Sequence, residues 1–245
     1  GFAQNDLPEF LLFIIESFHN SLRREVEMVI KGNVKNKTDE MAVKCFEMMK
    51  NMYSKEYSEM LDLFYGIHVS VIKADNSEKI LSTKPEPFFI IDIPFNDDKK
   101  TTSLYDCFEK YCRAEKLEGE NMWLNDKTNQ KEKASKNIVF WSLPKILVID
   151  LKRFTYDGKK IQKPINIELD NLDLTKFVKG YNKDKYVYEL YGVCNHSGGV
   201  LGGHYTANVK VNKKGWYLFN DTNVSKIDFD GQNNTKGYCF FYRMK

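Results

Sequence analysis

The chain has 245 residues, of which 42% are hydrophobic and 29% charged, with a formal net charge of +3 from 37 basic and 34 acidic side chains. That balance belongs to a folded globular protein and excludes a disordered chain. The near-neutral charge gives no support to nucleic acid as the main partner. The longest wholly apolar run, Phe10 to Ile15, is too short to span a bilayer, and no basic-then-apolar leader precedes it, so no membrane role is expected. Five cysteines, at 45, 107, 112, 194 and 239, are too few and too scattered for a disulfide scaffold and fit a reducing intracellular compartment. The first residue is Gly1 and not Met, which reads as the product of trimming.

In chain order, Asp6 and Glu9 with Pro8 in the first turn predict a helix over 7–20, its buried stripe formed by Phe10, Ile14 and Phe18. A second helix is expected over 22–31, stopped by Gly32, and a third after Thr38 with Met41, Cys45, Met49 and Met52 inward. From about Ile67 the pattern turns to strands, 68–73 and 88–93, interrupted by a helix over 104–111 capped by Ser103. The polar stretch 125–136 predicts an exposed loop or hairpin tip. Strands follow at 146–154, 186–194, 204–211, 216–219 and 238–242, with a turn at Asp157-Gly158. Helices first and strands later predict an α+β fold with a mainly antiparallel sheet.

The segment Asn195 to Thr206 carries Gly198, Gly199, Gly202 and Gly203 and ends on His204, where a strand begins. Four glycines predict a mobile loop that lets backbone approach a ligand, with the strand behind it fixing the imidazole. A tight turn over 213–215 brings Asn220 and Asp221 back beside His204. An amide oxygen there would accept Nδ1–H and leave Nε2 to take a proton from a thiol. The competing reading makes His204 a strand end and Asn220-Asp221 a turn.

The surrounding blocks decide between these readings. Tyr191-Gly192-Val193-Cys194-Asn195-His196-Ser197-Gly198, Gly203-His204-Tyr205-Thr206-Ala207, Trp216 to Asp221, Val224, and Gly237-Tyr238 with 240–242 occur in that order. Upstream stand Gln4-x-Asp6-x-x-Glu9-Phe10-Leu11, then Leu104, Cys107, Glu115, Leu117 and Gly119, then Leu143-Pro144, Leu147 and Leu151-Lys152-Arg153-Phe154. Together these resemble the ubiquitin-specific protease family of papain-like cysteine deubiquitinases, across nearly the whole chain.

The resemblance implies a helical thumb remnant over about 1–65, β fingers and a connecting helix over about 66–140, and a β palm over about 141–245. It implies ubiquitin or a related modifier as partner and His204 as general base, oriented by Asn220 with Asp221 assisting. Asp6 would hold the arginine-containing tail of ubiquitin, and Tyr205 with Gly198, Gly199, Gly202 and Gly203 would border the channel for its terminal glycines.

Two features depart from the family pattern. The chain has no Asn-x-Cys box ahead of Gln4, and its five cysteines read as packed structural thiols, so residues 1–245 alone are expected not to hydrolyse. It also has no Cys-x-x-Cys pair, so zinc-free fingers, no metal and no cofactor are expected. Three readings stay open: a monomeric deubiquitinase whose cysteine segment lies before Gly1, a pseudo-hydrolase that binds ubiquitin without cleaving it, and a scaffold working through its helical lobe. The abundance of Asn, Lys, Ile, Tyr and Phe fits an AT-rich genome such as that of a large virus or a protist.

Overall fold

A computed structural model describes residues 6–96, 100–181, 185–200 and 202–245. The first helix, α1 (Leu7–Leu22), begins where the Asp6-Leu7-Pro8 sequence predicts. Asp6 occupies the cap position, but its side chain makes no capping hydrogen bond. The buried stripe is also rotated from the expected one. Ile15 is buried with Leu7 and Leu11 against the sheet, while Phe10, Phe13 and Phe18 stay exposed. A helix that is apolar nearly all round has no unique buried face in its sequence, so the sheet it meets chooses one.

The helix expected over 22–31 does not form. Arg23 leaves α1 in extended geometry, and Arg24 pairs antiparallel with Tyr57 through two backbone bonds of 2.9 Å. Its guanidinium grips Glu59 with bonds of 2.6 and 3.1 Å. Ser21, which could cap the segment, lies inside α1 with its hydroxyl on the Ser17 carbonyl, and Val26, Val29 and Ile30 favour helix weakly, so the preference yields to these contacts. Helix α2 (Lys37–Glu56) is capped by Asn36, whose amide oxygen accepts from the Thr38 and Asp39 N–H groups at 2.8 and 3.0 Å. Ser58 caps the short α3 (Glu59–Phe64), which sequence reasoning missed.

The strands β1 (Gly66–Ala74), β2 (Ile80–Phe88), β5 (Glu115–Leu117) and β8 (Ala134–Ser142) form one sheet in the order β2-β1-β8-β5. Pro85 and Pro87 are tolerated in β2 because it is an edge strand. The single strand expected over 88–93 is split: β2 ends at Phe88, Phe89 turns its ring into a cluster with Phe64 and Tyr65, and β3 (Ile90–Pro94) joins a different sheet. The polar stretch 125–136 is in part a hairpin, β6 (Trp123–Asn125) with β7 (Gln130–Glu132), but its last residues belong to β8, where Ala134 is buried. Ser103 caps α4 (Leu104–Cys112) in a capping box with Asp106, and β4 (Thr102–Ser103) pairs in parallel with β10 (Ile165–Asn166).

The larger sheet runs β15-β14-β13-β12-β16-β9-β3, from β9 (Ile146–Lys152), β12 (Val187–Gly199), β13 (Gly202–Val211), β14 (Gly215–Asn220), β15 (Asn223–Ile227) and β16 (Gly237–Met244). The short β11 (Leu172–Asp173) pairs on β12, and the β3–β9 pair is parallel. Strand β15 was not expected, because Asn223 to Ile227 is polar and largely exposed. One face of this sheet carries the main core with α4, including Phe108, Phe140, Leu147, Ile149, Tyr188 and Phe240. The other face packs on α1 and α3 through Ile15, Phe89, Val148, Tyr238 and Cys239. A third cluster joins α2 to the smaller sheet through Ala42, Cys45, Val69 and Trp141.

At the end of β9, Arg153 is fully buried with no carboxylate among its hydrogen-bond partners. Nε donates to the Gly237 carbonyl at 2.7 Å, Nη1 to those of Ile161 and Lys163 at 2.9 and 3.0 Å, and Nη2 to that of Asn234 at 3.1 Å. The guanidinium lies over the Phe95 ring, and burial brings its pKa down to about 10. One side chain thus ties the 161–163 and 234–237 segments together. Replacing Arg153 by Met strands these carbonyls, each costing about 1–3 kcal/mol where it stays dry; urea denaturation is expected to show a loss of about 3 kcal/mol or more. An unchanged midpoint would mean that water replaces the guanidinium at no cost.

Candidate active site

The antiparallel register of β13 and β14 pairs Ala207 with Phe219. Continuing it by one residue sets Thr206 opposite Asn220, which makes His204 and Asn220 diagonal neighbours on one face. Their side chains meet at 2.6 Å, and the imidazole is about half exposed at 51%. The contacting atom is Nε2, not the expected Nδ1. Nε2–H donates to the Asn220 amide oxygen, leaving the Nδ1 lone pair free to accept a proton. The reversal follows from where β14 lies: the Asn220 amide reaches the far edge of the ring. The carboxylate of Asp221 stands 3.9 Å from the same nitrogen, on a residue held at φ +51° just past the end of β14.

The glycines have a different role from the mobility read in the sequence. Strands β12 and β13 continue as a paired ladder to Gly198–Gly203 and Gly199–Gly202. Gly198 sits at φ +122°, and a Cβ there would lie 2.5 Å from the Gly203 Cα. A Cβ on Gly203 would lie 2.3 Å from the His196 Nε2 and 2.4 Å from the Ser197 carbonyl oxygen. These two glycines allow close strand approach over a buried imidazole, whereas a Cβ on Gly199 would meet open space.

On the opposite face of the hairpin lies a second group. His196 is buried, with the rings of Tyr205, Tyr238 and Phe154 at centroid distances of 4.8, 5.8 and 5.8 Å. The Tyr238 hydroxyl donates to Asp6 at 3.4 Å, which ties the start of α1 to this cluster. The structure therefore gathers Asp6 and Tyr205 on one face and His204, Asn220 and Asp221 on the other. Gln4 lies outside the described residues.

None of the five cysteines shares the His204 face of the hairpin. Ser197 pairs with His204, so Cys194, three residues earlier on the same strand, points to the other face, and Cys239 lies across from Cys194. Cys45, Cys107 and Cys239 are buried, and burial raises the thiol pKa of all five, that of Cys194 to about 11.

Sequence reasoning passed over Asp150. It is only 8% exposed, its Oδ1 has no hydrogen-bond partner, and Asp92 stands directly across from it on β3. Burial, then the charges of Asp92 and Asp6, push its carboxyl up to about 7, against the pull of Lys152. The available signal was an acid in the middle of the apolar run Ile146 to Leu151.

The sequence profile of UCH, ubiquitin carboxyl-terminal hydrolase, matches residues 1–242. The chain belongs to the ubiquitin carboxyl-terminal hydrolase family. Human ubiquitin carboxyl-terminal hydrolase 21 is 31% identical over 267 aligned residues, covering 100% of this chain and 46% of the human protein. Arabidopsis thaliana ubiquitin carboxyl-terminal hydrolase 9 is 40% identical over 149 residues, 59% of this chain and 16% of the relative. The chain therefore spans less than half the length of these relatives. Among solved structures, the SAGA DUB module of Ubp8, Sgf11, Sus1 and Sgf73 bound to monoubiquitin matches 100% of this chain and 49% of its own, with TM-score 0.74 and 25% identity. The fold is that of a ubiquitin-specific protease domain, mixed helix and antiparallel sheet, as the sequence motifs implied.

The Asp150 carboxyl yields a pH prediction. Its folded pKa lies above that of the unfolded chain, about 4, so the folded state holds more protons between that value and about 7. The stabilising contribution is complete below pH 4 and is lost as pH rises through 7. Asp150→Asn removes this slope. At pH 8 it is expected to raise Tm relative to the unaltered chain by roughly 2–4 °C, about 1 kcal/mol in a chain this size, and by less at pH 5. Equal shifts at both pH values would refute the assignment.

Proposed function

We propose that this chain is the ubiquitin-binding, base-bearing part of a thiol-dependent hydrolase acting on isopeptide or thioester bonds at the ubiquitin C-terminus. The observation that carries the reading is the 2.6 Å contact between the His204 Nε2 and the Asn220 amide oxygen, which leaves Nδ1 to deprotonate a thiol. His204 is the general base, Asn220 fixes its tautomer, and Asp221, 3.9 Å from the ring, assists. The nucleophile is a cysteine outside the 245 residues. Asp6 and Tyr205 hold the modifier's tail, and Gly198, Gly199, Gly202 and Gly203 border its path. The ubiquitin-bound state of the SAGA module supports ubiquitin as the ligand. In this reading the protein works as an intracellular monomer, without nucleic acid or membrane.

A second reading, a pseudo-hydrolase that holds ubiquitin without cleaving it, is favoured by one observation: none of the five cysteines shares the His204 face of the hairpin.

Residues 1–245 alone are expected to bind ubiquitin in a calorimetric titration and to release no fluorophore from a ubiquitin C-terminal amide. Asp6→Ala should weaken that binding about tenfold, equivalent to 1.4 kcal/mol. An affinity that Asp6→Ala leaves unchanged would remove Asp6 from the tail site. The natural gene product separates the two readings. Turnover that falls by about 10²–10⁴ in His204→Ala supports the hydrolase, whereas binding without turnover and without capture by an electrophilic ubiquitin probe supports the pseudo-hydrolase.

A further inference from the structure

Beneath the glycine hairpin lies a cavity of about 210 Å³ lined by Lys160, Gln162, His196, Ser197, Gly198, Thr235 and Lys236. Two of these side chains are cationic, three offer hydroxyl or amide donors, and none is a carboxylate. The Lys160 ammonium donates to the His196 carbonyl at 2.6 Å and to its Nδ1 at 3.1 Å. An ammonium only donates, so Nδ1 carries the lone pair and the imidazole is neutral, with its proton on Nε2. Two of the three N–H groups of Lys160 are thereby used, and one remains.

The positive charge around this cavity has little to offset it. Arg153 lies behind it, with carbonyls as its hydrogen-bond partners. The acid on the same loop, Asp157, is held by Lys159 at 2.6 Å and by the Thr155 hydroxyl. Asp6, which bears on His196, is bonded to the Tyr238 hydroxyl and does not line the cavity. Lys160 has a lowered pKa, first through burial and then through Arg153 and Lys236, as expected of cations crowded without an anion.

We propose that this cavity binds a phosphate group. A tetrahedral oxyanion offers acceptors in several directions at once, matching two ammonium groups with the Ser197 and Thr235 hydroxyls and the Gln162 amide around it. The group arrives either as the free ion or on a phosphorylated polypeptide. The site adjoins Ser197, the register partner of His204, so a bound phosphate would stiffen the hairpin that carries the candidate base. The inference concerns a cavity separate from the His204–Asn220 pair and does not need the chain to be a hydrolase.

The test is a titration of the chain with inorganic phosphate, followed through the His196 imidazole resonances, against sodium chloride at equal ionic strength. A parallel arm compares the tripeptide Ala-phosphoserine-Ala with Ala-Ser-Ala. Saturable shifts with phosphate and not with chloride are expected, weakened at least tenfold in the double variant Lys160→Gln, Lys236→Gln. Glutamine at 160 keeps a donor for the His196 carbonyl; should that variant not fold, Lys236→Glu alters an exposed position and is expected to abolish saturation alone. Tighter binding of the phosphopeptide than of phosphate identifies a polypeptide-borne group, and the reverse identifies the free ion. Shifts equal to those with chloride, no saturation in either arm, or saturation that survives the substitutions would overturn the proposal.

Discussion

The register of β13 against β14 is the constraint on which the candidate site depends. Side chains alternate faces along a strand, so the pairing of Ala207 with Phe219 puts His204 and Asn220 on one face and Tyr205 on the other. A slip of one residue would send either the imidazole or the amide through the sheet and break the contact. Turn chemistry at one end of the β13–β14 hairpin holds the register, with Lys213 and Gly215 at positive φ. At the other end of β13, the pairing of Gly198 with Gly203 fixes where β12 and β13 meet.

The interior beside the larger sheet holds ionisable groups. Arg153 exchanges water for carbonyls and so holds two connecting segments that flank the β12–β13 hairpin. Asp150 lies on the face that packs under α1, where a proton takes the place of a partner. Glu168 is a related case: burial first, then the Asp106 charge, raise its carboxyl to about 7, and Oε2 has no partner. The partnerless oxygens of Asp150 and Glu168 cost stability where the carboxyls ionise, whereas Arg153, with every guanidinium nitrogen on a carbonyl, contributes to it.

Helix α1 links this interior to the surface. Its inner residues close the cluster around Val148 and Cys239, and its start reaches Tyr238 through Asp6. Its outer residues, Phe10 and Phe13, leave two apolar rings in solvent.

The sequence by itself determined the family, the arrangement of helices first and strands later, and the pairing of His204 with Asn220, because motif blocks and hairpin turns act over short separations. The capping residue Ser103 likewise marked where α4 begins. Tertiary structure alone decided the remainder. Only contact with Tyr57 and Glu59 explains why 22–31 is not helical, and only the change of sheet at Phe89 explains the split strand. The choice of Nε2 over Nδ1 depends on where β14 places an amide around the ring, and the raised carboxyl of Asp150 on burial and neighbours distant in sequence. Periodicity reports which residues avoid water; it carries no information about which partner lies across the gap.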